Sequence, residues 1–246
     1  MTTTPTEAQA RLDLAAAFRW AARLGLNEAV ANHFSVAVSD DGQRFLLNPP
    51  GAHFSRVKAS ELLLLDASRA GSGKADPKAD ATAWYLHSHL HRMVPRARCV
   101  LHTHMPYATA LCCLKDFEFV MLDQNACRFH ERVAYDRHYS GMALDDMEGE
   151  RVAKLLGEDK SVLFMGNHGV MVVGETVADA FDELSYLERA AHVQLLALST
   201  GRPLDVVPDE IAALTAQQWR GDRRGPQLHF DALKAILDTD EPDYAS

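Results

Sequence analysis

The first part of the chain shows a helical pattern of apolar positions, followed by two short strand patterns. Over residues 7–24, apolar side chains recur every three or four positions, at Leu12, Ala15, Phe18 and Ala22. This spacing places them on one face of an amphipathic helix. Residues 32–38 alternate as a strand does, the turn Asp40-Asp41-Gly42 follows, and residues 45–47 predict a second strand.

The remainder of the chain interleaves helical and strand patterns. Asp80 is expected to cap a helix that runs through residue 93, and further helices are predicted over 107–114, 145–156 and 177–199. Strands are predicted over 99–104 and 117–122, with a hairpin around Asn167-His168-Gly169. The apolar stretch 59–65 is too short to decide its state, and residues 70–79, which are rich in Gly and Lys, predict an exposed loop.

This order of elements predicts one domain in which helices cover a sheet. Interleaved helices and strands with antiparallel hairpins are typical of an α/β or α+β domain. We expect a single domain over residues 1–246. Gly201-Arg202-Pro203 ends the last long helix, and from about residue 203 we expect a helical, polar and partly loose C-terminal tail.

Composition and charge exclude several classes of protein. The formal net charge of −9 argues against a nucleic-acid partner, and no apolar run reaches the roughly 18 residues that a membrane span needs. The N-terminal Met1-Thr2-Thr3-Thr4-Pro5 lacks the charged and apolar regions of a signal peptide. The four cysteines form no C-x-x-C pair, which favours reduced thiols and a cytoplasmic protein.

Three histidines in two short motifs indicate a metal site. His102 and His104 are two residues apart in a predicted strand that Pro106 stops, so their imidazoles point to the same side. His168 lies at a predicted tight turn and could supply a third nitrogen. Three histidines with an open position are typical of catalytic Zn²⁺ or another divalent transition metal. An H-x-H pair alone is a weak signal, because most single histidines are simply hydrogen-bonded.

Four stretches of the chain resemble, in the same order, the class II aldolase/adducin family. They are Asn32-His33-Phe34-Ser35, Phe45-Leu46-Leu47-Asn48-Pro49-Pro50-Gly51, Leu101-His102-Thr103-His104-Met105-Pro106-Tyr107-Ala108-Thr109-Ala110 and Asn167-His168-Gly169-Val170. The resemblance extends from the first helix to about Gly201. Around Asn32 and Asn48-Pro49-Pro50-Gly51 it is closest to the adducin-like branch, with its many bacterial proteins.

The resemblance implies a fold, a metal and an assembly. The family fold is a central, mostly antiparallel sheet between helix layers, which makes a three-layer α/β/α domain. In the family, the H-x-H pair and the later histidine bind a divalent cation, which implies that His102, His104 and His168 are ligands here. We expect Zn²⁺, with Mn, Fe, Co or Ni as alternatives. Family enzymes are typically homotetramers with active sites at subunit contacts, so a tetramer is expected.

Two departures from the family argue against a sugar-phosphate substrate. The sugar-phosphate aldolases of the family carry an acid/base glutamate nineteen residues before the first ligand histidine, and this chain has Ala83 there. The serines that help to hold phosphate are replaced by Ala81-Thr82 and, after the second strand, by Pro50-Gly51. Proline has neither an N–H nor a hydroxyl. We therefore expect a substrate without phosphate.

Without that glutamate, another residue must carry the proton. In the family, the segment around residues 128–139 runs near the metal, so Tyr135 or His130 is the best remaining candidate. The alternative is that Tyr135 lies in the core and His130 on the surface. His87 matches a position where relatives often carry histidine, which implies a structural or near-site role.

Three residues are candidates for substrate binding. Asn32 and Gly51 belong to the stretches that match the family. Gln124 follows the predicted strand 117–122 and could hydrogen-bond a substrate or merely form a turn.

These residues favour a divalent-metal-dependent lyase that acts on a small, non-phosphorylated hydroxy-carbonyl or keto-acid substrate. The metal would act as a Lewis acid and stabilise the charge formed by aldol-type C–C cleavage or by loss of CO₂. One alternative is a non-haem Fe(II) oxygenase or oxidative decarboxylase, a kind of enzyme that the family includes. Another is a non-catalytic, adducin-like interaction module, against which the complete histidine triplet argues.

Overall fold

Seven strands form one mixed sheet in residues 6–246, the part of the chain that the computed structural model describes. They are β1 (His33–Ala37), β2 (Arg44–Leu47), β3 (Leu63–Asp66), β4 (Cys99–Thr103), β5 (Val133–Asp136), β6 (Val162–Met165) and β7 (Gly169–Gly174). Their order across the sheet is β3-β2-β1-β4-β7-β6-β5. Neighbours are antiparallel except β5 and β6, which are parallel. Residues 1–5, to which the expectation about a signal peptide refers, lie outside the described residues.

Eight α-helices accompany the sheet in the same part of the chain. They are α1 (Glu7–Arg23), α2 (Ala81–Met93), α3 (Pro106–Cys112), α4 (Gln124–Cys127), α5 (Asp146–Leu156), α6 (Val177–Ser199), α7 (Asp209–Gly221) and α8 (Gly225–Asp240). Among the described helices, none combines the length and the apolar character needed to cross a membrane.

Helices cover both faces of the sheet. On one face α1 and α6 pack around Phe18, Phe34 and Phe181, and on the other α2 and α5 pack around Leu90 and Val152. The central strand β4 is buried along its whole length because it has helices on both sides. The predicted three-layer α/β/α fold with a mostly antiparallel sheet is therefore confirmed.

The predicted helices are present with small shifts at their ends, and side-chain caps explain several of these ends. The Asp80 carboxylate accepts hydrogen bonds from the first turn of α2, and Asp145 does the same for α5. The ambiguous stretch 59–65 divides into a short 3₁₀ turn, Ala59–Glu61, followed by β3.

The prediction of a strand over 117–122 is wrong. The backbone of this segment bonds to side chains instead of to a neighbouring strand. The Phe119 amide donates to the Tyr135 hydroxyl at 2.9 Å, and the Val120 amide donates to the Gln194 side chain at 2.9 Å. Gln194 also donates to the Glu118 carbonyl at 2.7 Å. Gln194, which is distant in sequence, thus takes backbone hydrogen bonds that a neighbouring strand would otherwise make. The alternation of apolar residues cannot predict such a contact.

One strand, β5, was not predicted from the pattern. It has four residues and lies at the edge of the sheet, parallel to β6. A short edge strand shows too little alternation to be recognised. It matters for the site because the chain leaves it at Asp136, whose carbonyl accepts a 2.7 Å hydrogen bond from the Gly166 amide in the turn that carries His168.

The C-terminal helices pack against the rest of the chain. Arg19 of α1, which is 1% exposed, forms ion pairs with Glu241 at 3.0 Å and Asp243 at 2.9 Å. Phe230 and Tyr244 are 1% and 2% exposed. These two aromatic residues therefore belong to the core of their own chain.

Candidate functional site

The structure brings His102, His104 and His168 together. His102 lies in β4, His104 follows the end of that strand, and His168 lies in the turn between β6 and β7. The ring centroids are 5.1 Å apart for His102 and His104, 4.8 Å for His102 and His168, and 4.9 Å for His104 and His168. One nitrogen from each ring lies within 4.8 Å of the other two. We refer to these three residues as the histidine triad.

The chain around His104 is fixed from a distant helix. Pro106, two residues after His104, begins α3. The Glu188 carboxylate of α6 accepts hydrogen bonds from the Tyr107 amide at 2.8 Å and the Ala108 amide at 2.9 Å. A carboxylate in this position satisfies free amides of the helix and opposes its dipole. Burial raises the pKa of Glu188, while the two amides favour the charged form.

The turn that carries His168 approaches β4 very closely. A Cβ atom at Gly169 would lie 2.5 Å from the Thr103 carbonyl oxygen and 2.8 Å from a ring carbon of His104. Asn167 adopts the left-handed conformation with φ of 55°, and its amide donates to the Cys112 carbonyl at 3.0 Å. Only glycine allows this approach at position 169.

Hydrogen bonds at Nδ1 leave the Nε2 atoms of two triad rings free. The Nδ1–H of His102 donates to the Val170 carbonyl at 3.0 Å. The Nδ1–H of His104 donates to the Glu28 carboxylate at 2.6 Å, and its Nε2 is buried without a hydrogen-bond partner. Metal-binding histidines typically donate one ring N–H to a carbonyl or carboxylate in this way. The triad therefore has the donor set and the orientation to hold a divalent cation.

Two rings of the triad, His102 and His168, are neutral at physiological pH. Burial, followed by the proximity of His33 and His168, lowers the pKa of His102 well below its usual range. Burial, followed by the proximity of His104, lowers the pKa of His168 to about 4. Neutral imidazoles keep a lone pair for a ligand bond.

Sequence reasoning missed Glu28. It lies in the connection between α1 and β1, where its backbone amide donates to the Asn32 side chain at 2.6 Å. The next residue, Ala29, has φ of 45°. A single glutamate in a loop shortly before His33 carries no recognisable motif, so only the folded chain shows that it meets His104.

A second group of histidines is buried beside the triad. His33 on β1 is paired in register with His102 on β4, and their ring centroids are 4.8 Å apart. Nδ1 of His33 lies 2.7 Å from Nε2 of His87 on α2. His87 Nδ1 bonds the Ser35 hydroxyl, which lies 2.7 Å from Nε2 of His91. Burial lowers the pKa of His33 and His87 well below the usual range and that of His91 to about 3.

The structure does not bring Tyr135 and His130 to the triad. The Tyr135 hydroxyl accepts from the Phe119 amide, and the ring packs beside Phe164. His130 Nε2 lies 2.7 Å from the Asp209 carboxylate at the start of α7. These contacts support the alternative interpretation for Tyr135, a packing role, and give His130 a role in holding the C-terminal helices. Tyr139 is the tyrosine near the triad, with its ring centroid 6.1 Å from that of His168.

The three substrate-binding candidates lie in different places. Asn32 is buried directly before His33, and its Nδ2 has no hydrogen-bond partner. Gly51 is exposed in the loop after β2, with φ of 75°. Gln124 lies at a cavity of about 430 Å³ that residues of α7 also line. Its carbonyl accepts a hydrogen bond from the Trp219 indole at 3.1 Å. Asn32 is therefore the candidate that lies next to the histidine groups.

Ala83 lies on the sheet-facing side of α2. It is 1% exposed, packs in a cluster with Phe45 and Leu47, and precedes His87 by about one helical turn. The position expected for the family's glutamate is therefore apolar in its surroundings as well as in its side chain.

Comparison with known proteins identifies a family match over most of the chain. A sequence model described as Class II Aldolase and Adducin N-terminal domain matches residues 12–195. The decarboxylase NovR of Streptomyces niveus is 31% identical over 233 residues, which are 94% of this chain and 85% of that protein. The 4-hydroxy-3-prenylphenylpyruvate oxygenase/4-hydroxy-3-prenylbenzoate synthase of Streptomyces roseochromogenus subsp. oscitans is 32% identical over 83% of this chain and 73% of that protein.

A solved structure has the same fold. The crystal structure of an aldolase II superfamily protein from Pseudomonas syringae superposes with a TM-score of 0.87 and 34% sequence identity. The superposition covers 99% of this chain and 98% of that chain.

The buried histidines should make the metal-free protein less stable in acid. The folded-state pKa of His91 is about 3 against an ordinary value of 6.5, so below pH 6.5 the unfolded chain binds more protons. The free energy of unfolding should be full above pH 6.5 and fall below it, by about 1.4 kcal/mol per pH unit for each histidine that stays neutral. Urea unfolding in EDTA at pH 7, 6 and 5 measures this slope.

The variants His91→Gln and His53→Gln test the assignment. His91→Gln should reduce the slope, whereas His53→Gln, at an exposed position, should leave it unchanged. An unchanged slope in His91→Gln would contradict the role of this buried ring.

Proposed function

This chain belongs to the class II aldolase and adducin family, and from that premise we propose that it is a divalent-metal-dependent lyase. The substrate is a small, non-phosphorylated hydroxy-carbonyl compound or keto acid, and the reaction is C–C cleavage or decarboxylation. The observation that carries this proposal is the convergence of three imidazoles, one of which keeps a buried Nε2 without a partner among the described residues.

His102, His104 and His168 are proposed as the ligands of the cation. A buried ring nitrogen without a hydrogen bond costs free energy that a ligand bond would recover. The preferred cation is Zn²⁺, because three histidines with an open position suit it, with Mn, Fe, Co and Ni as alternatives. When bound, the cation supplies Lewis acidity that stabilises negative charge on a substrate oxygen.

The remaining residues orient the ligands and hold the substrate. Glu28 and the Val170 carbonyl fix the tautomers and ring planes of His104 and His102. The unpartnered Nδ2 of Asn32 is a donor for a substrate oxygen. Tyr139 replaces Tyr135 as the candidate proton carrier, since it is the tyrosine beside His168.

Two relatives support a keto acid rather than a sugar phosphate. NovR is named a decarboxylase, and the Streptomyces roseochromogenus enzyme is named for a phenylpyruvate, which is a 2-keto acid. Ala83 and Pro50 stand where sugar-phosphate aldolases of the family carry the glutamate and a phosphate-binding serine. The name oxygenase of the second relative also favours a second candidate function, oxidative decarboxylation with Fe(II) in the same triad.

The segment 142–147, which follows Tyr139 shortly along the chain, supports an assembly of identical chains. Met142, Leu144 and Met147 are 68%, 56% and 76% exposed. Exposed apolar residues grouped in this way mark an interaction surface. We propose a homotetramer in which this segment lies at a subunit contact. A cytoplasmic location is also proposed, because all four cysteines are free thiols.

His168→Ala should lower the affinity for Zn²⁺ or Mn²⁺ at least about 10- to 100-fold, the range seen for loss of a supporting residue alone. Isothermal titration of the metal-free protein gives affinity and stoichiometry. His53→Ala is the matched control and should bind normally. Full stoichiometry and affinity in His168→Ala would contradict the ligand assignment.

The metal-loaded protein should not cleave fuculose or ribulose phosphates at an enzymatic rate. General acid/base catalysis contributes about 10² to 10⁴-fold, and Ala83 cannot provide it at the family's position. A coupled aldehyde assay measures this, with CO₂ release and oxygen uptake from 2-keto acids followed in parallel. Turnover of a sugar phosphate at ordinary aldolase rates would overturn the proposed substrate class, and oxygen uptake with Fe(II) would favour the second candidate.

Light scattering at micromolar concentration should give four times the mass of one chain. Leu144→Asp and Met147→Asp should dissociate the assembly, because each places a charge in a buried contact. Leu228→Asp on α8, where the leucine is 58% exposed, should not. A monomeric wild-type protein would refute the tetramer.

A further inference from the structure

A buried series of hydrogen bonds begins at His33, beside the triad, and links it to His87, Ser35 and His91. We propose that His33 contacts the substrate held by the triad, and that His87, Ser35 and His91 are positioning residues that decide which nitrogen of His33 carries the proton. This inference rests on the proposed function and concerns the same site.

His33 is placed to meet a molecule at the triad. It faces His102 across the β1–β4 pair, and the two ring centroids are 4.8 Å apart. Its Nδ1 is occupied by His87. Nε2 has no hydrogen bond to another described residue, so it is the atom left to contact a ligand. His33 lies outside the group of nitrogens that could share one cation.

The hydrogen bonds couple the tautomers of the three rings. A neutral imidazole has one N–H and one lone pair, and a serine hydroxyl has one proton. If His33 donates from Nδ1, His87 must carry its proton on Nδ1 and donate to Ser35. Ser35 is 0% exposed and bonds no other described residue through its hydroxyl, so it must then donate to His91.

The same argument applies in the opposite direction. If His91 donates from Nε2 to Ser35, the serine donates to His87 and His87 donates to His33. All three rings then carry the proton on Nε2. In either case the three histidines share one tautomer, because a mixed set would leave a buried proton or lone pair without a partner among these residues.

The tautomer of His91 therefore determines the tautomer of His33. His91 Nδ1 is buried without a hydrogen-bond partner, and the charge of Arg98 and the backbone of Ala97 both act on this ring. Whichever tautomer His91 adopts here, the hydrogen bonds through Ser35 and His87 impose it on His33. Whether His33 donates to the substrate or accepts from it is thus set outside the pocket.

Burial keeps this coupling intact at neutral pH. His33, His87 and His91 are 4%, 0% and 3% exposed, and burial lowers the pKa of each ring, so each holds one proton. If these rings had only a structural role, each would need hydrogen-bond partners, but none would need to present a free nitrogen beside the triad.

Nitrogen NMR of the metal-free, ¹⁵N-histidine-labelled protein at pH 7 tests the coupling. Long-range ¹H–¹⁵N spectra should assign one common tautomer to His33, His87 and His91. In Ser35→Ala the link is broken, so the tautomer of His33 should become mixed or change. Different tautomers among the three wild-type rings, or no effect of Ser35→Ala on His33, would overturn the proposal.

Probe binding tests the contact with a substrate. The protein is loaded with Co²⁺ and titrated with acetohydroxamate, a bidentate metal ligand, while the visible Co²⁺ band is followed. His33→Ala should weaken the probe by about tenfold, the loss expected for one hydrogen bond, with Co²⁺ affinity unchanged. His33→Gln, which keeps a polar head group, should recover part of the binding, and His53→Ala should match the wild type.

The outcomes separate this inference from the proposed function. Equal probe binding by the wild type, His33→Ala and His33→Gln would overturn the contact, and parallel loss of Co²⁺ affinity would make His33 a metal ligand instead. If the wild type binds no Co²⁺, the proposed function and the substrate contact fail together. The tautomer measurement needs no metal, so it would still decide the coupling.

Discussion

The register of β4 between β1 and β7 is the constraint on which the rest of the site depends. His102 is paired with His33 on one side and with Met171 on the other. Because side chains alternate along a strand, a slip of one residue would send His102 to the opposite face of the sheet. The buried apolar residues on both faces of β4 make such a slip costly. The same hydrophobic pairing that stabilises the sheet therefore aligns the histidines.

Once that register is set, a few long-range polar contacts complete the site. Glu188 holds the start of α3 just after His104, and Glu28 holds the His104 ring. Gly169 allows the turn with His168 to approach Thr103. None of these residues belongs to the histidine triad, yet each one determines the position of a triad ring. Function in this fold is expected to be sensitive to substitutions several residues away from the three imidazoles.

Burial decides the chemistry of the histidines as much as their positions do. Low local dielectric disfavours the charged form, so the pKa values of His102 and His33 lie well below the usual range. Neutral rings can bind a cation or pass a hydrogen bond, but they do not repel a cation. The family fold leaves the reaction open.

The sequence by itself determined the elements whose signals are local. Asp80 and Asp145 mark the starts of α2 and α5 through their caps, and the H-x-H spacing with the Asn-His-Gly turn identifies the histidine triad. The family resemblance supplied the layer order of the fold. These inferences succeed because periodicity, capping and strand alternation depend on neighbouring residues.

Tertiary structure decided whatever depends on residues far apart in the chain. Gln194 takes the backbone bonds of the segment 117–122, so that segment is no strand. Tyr135 and His130 bond Phe119 and Asp209 and do not join the triad. Glu28 and the link from His33 to His91 have no local signature at all, since their partners are brought together by strand register and helix packing. The sequence shows the residue types, but the fold determines their partners, because burial and hydrogen-bond geometry exist only after the chain has folded.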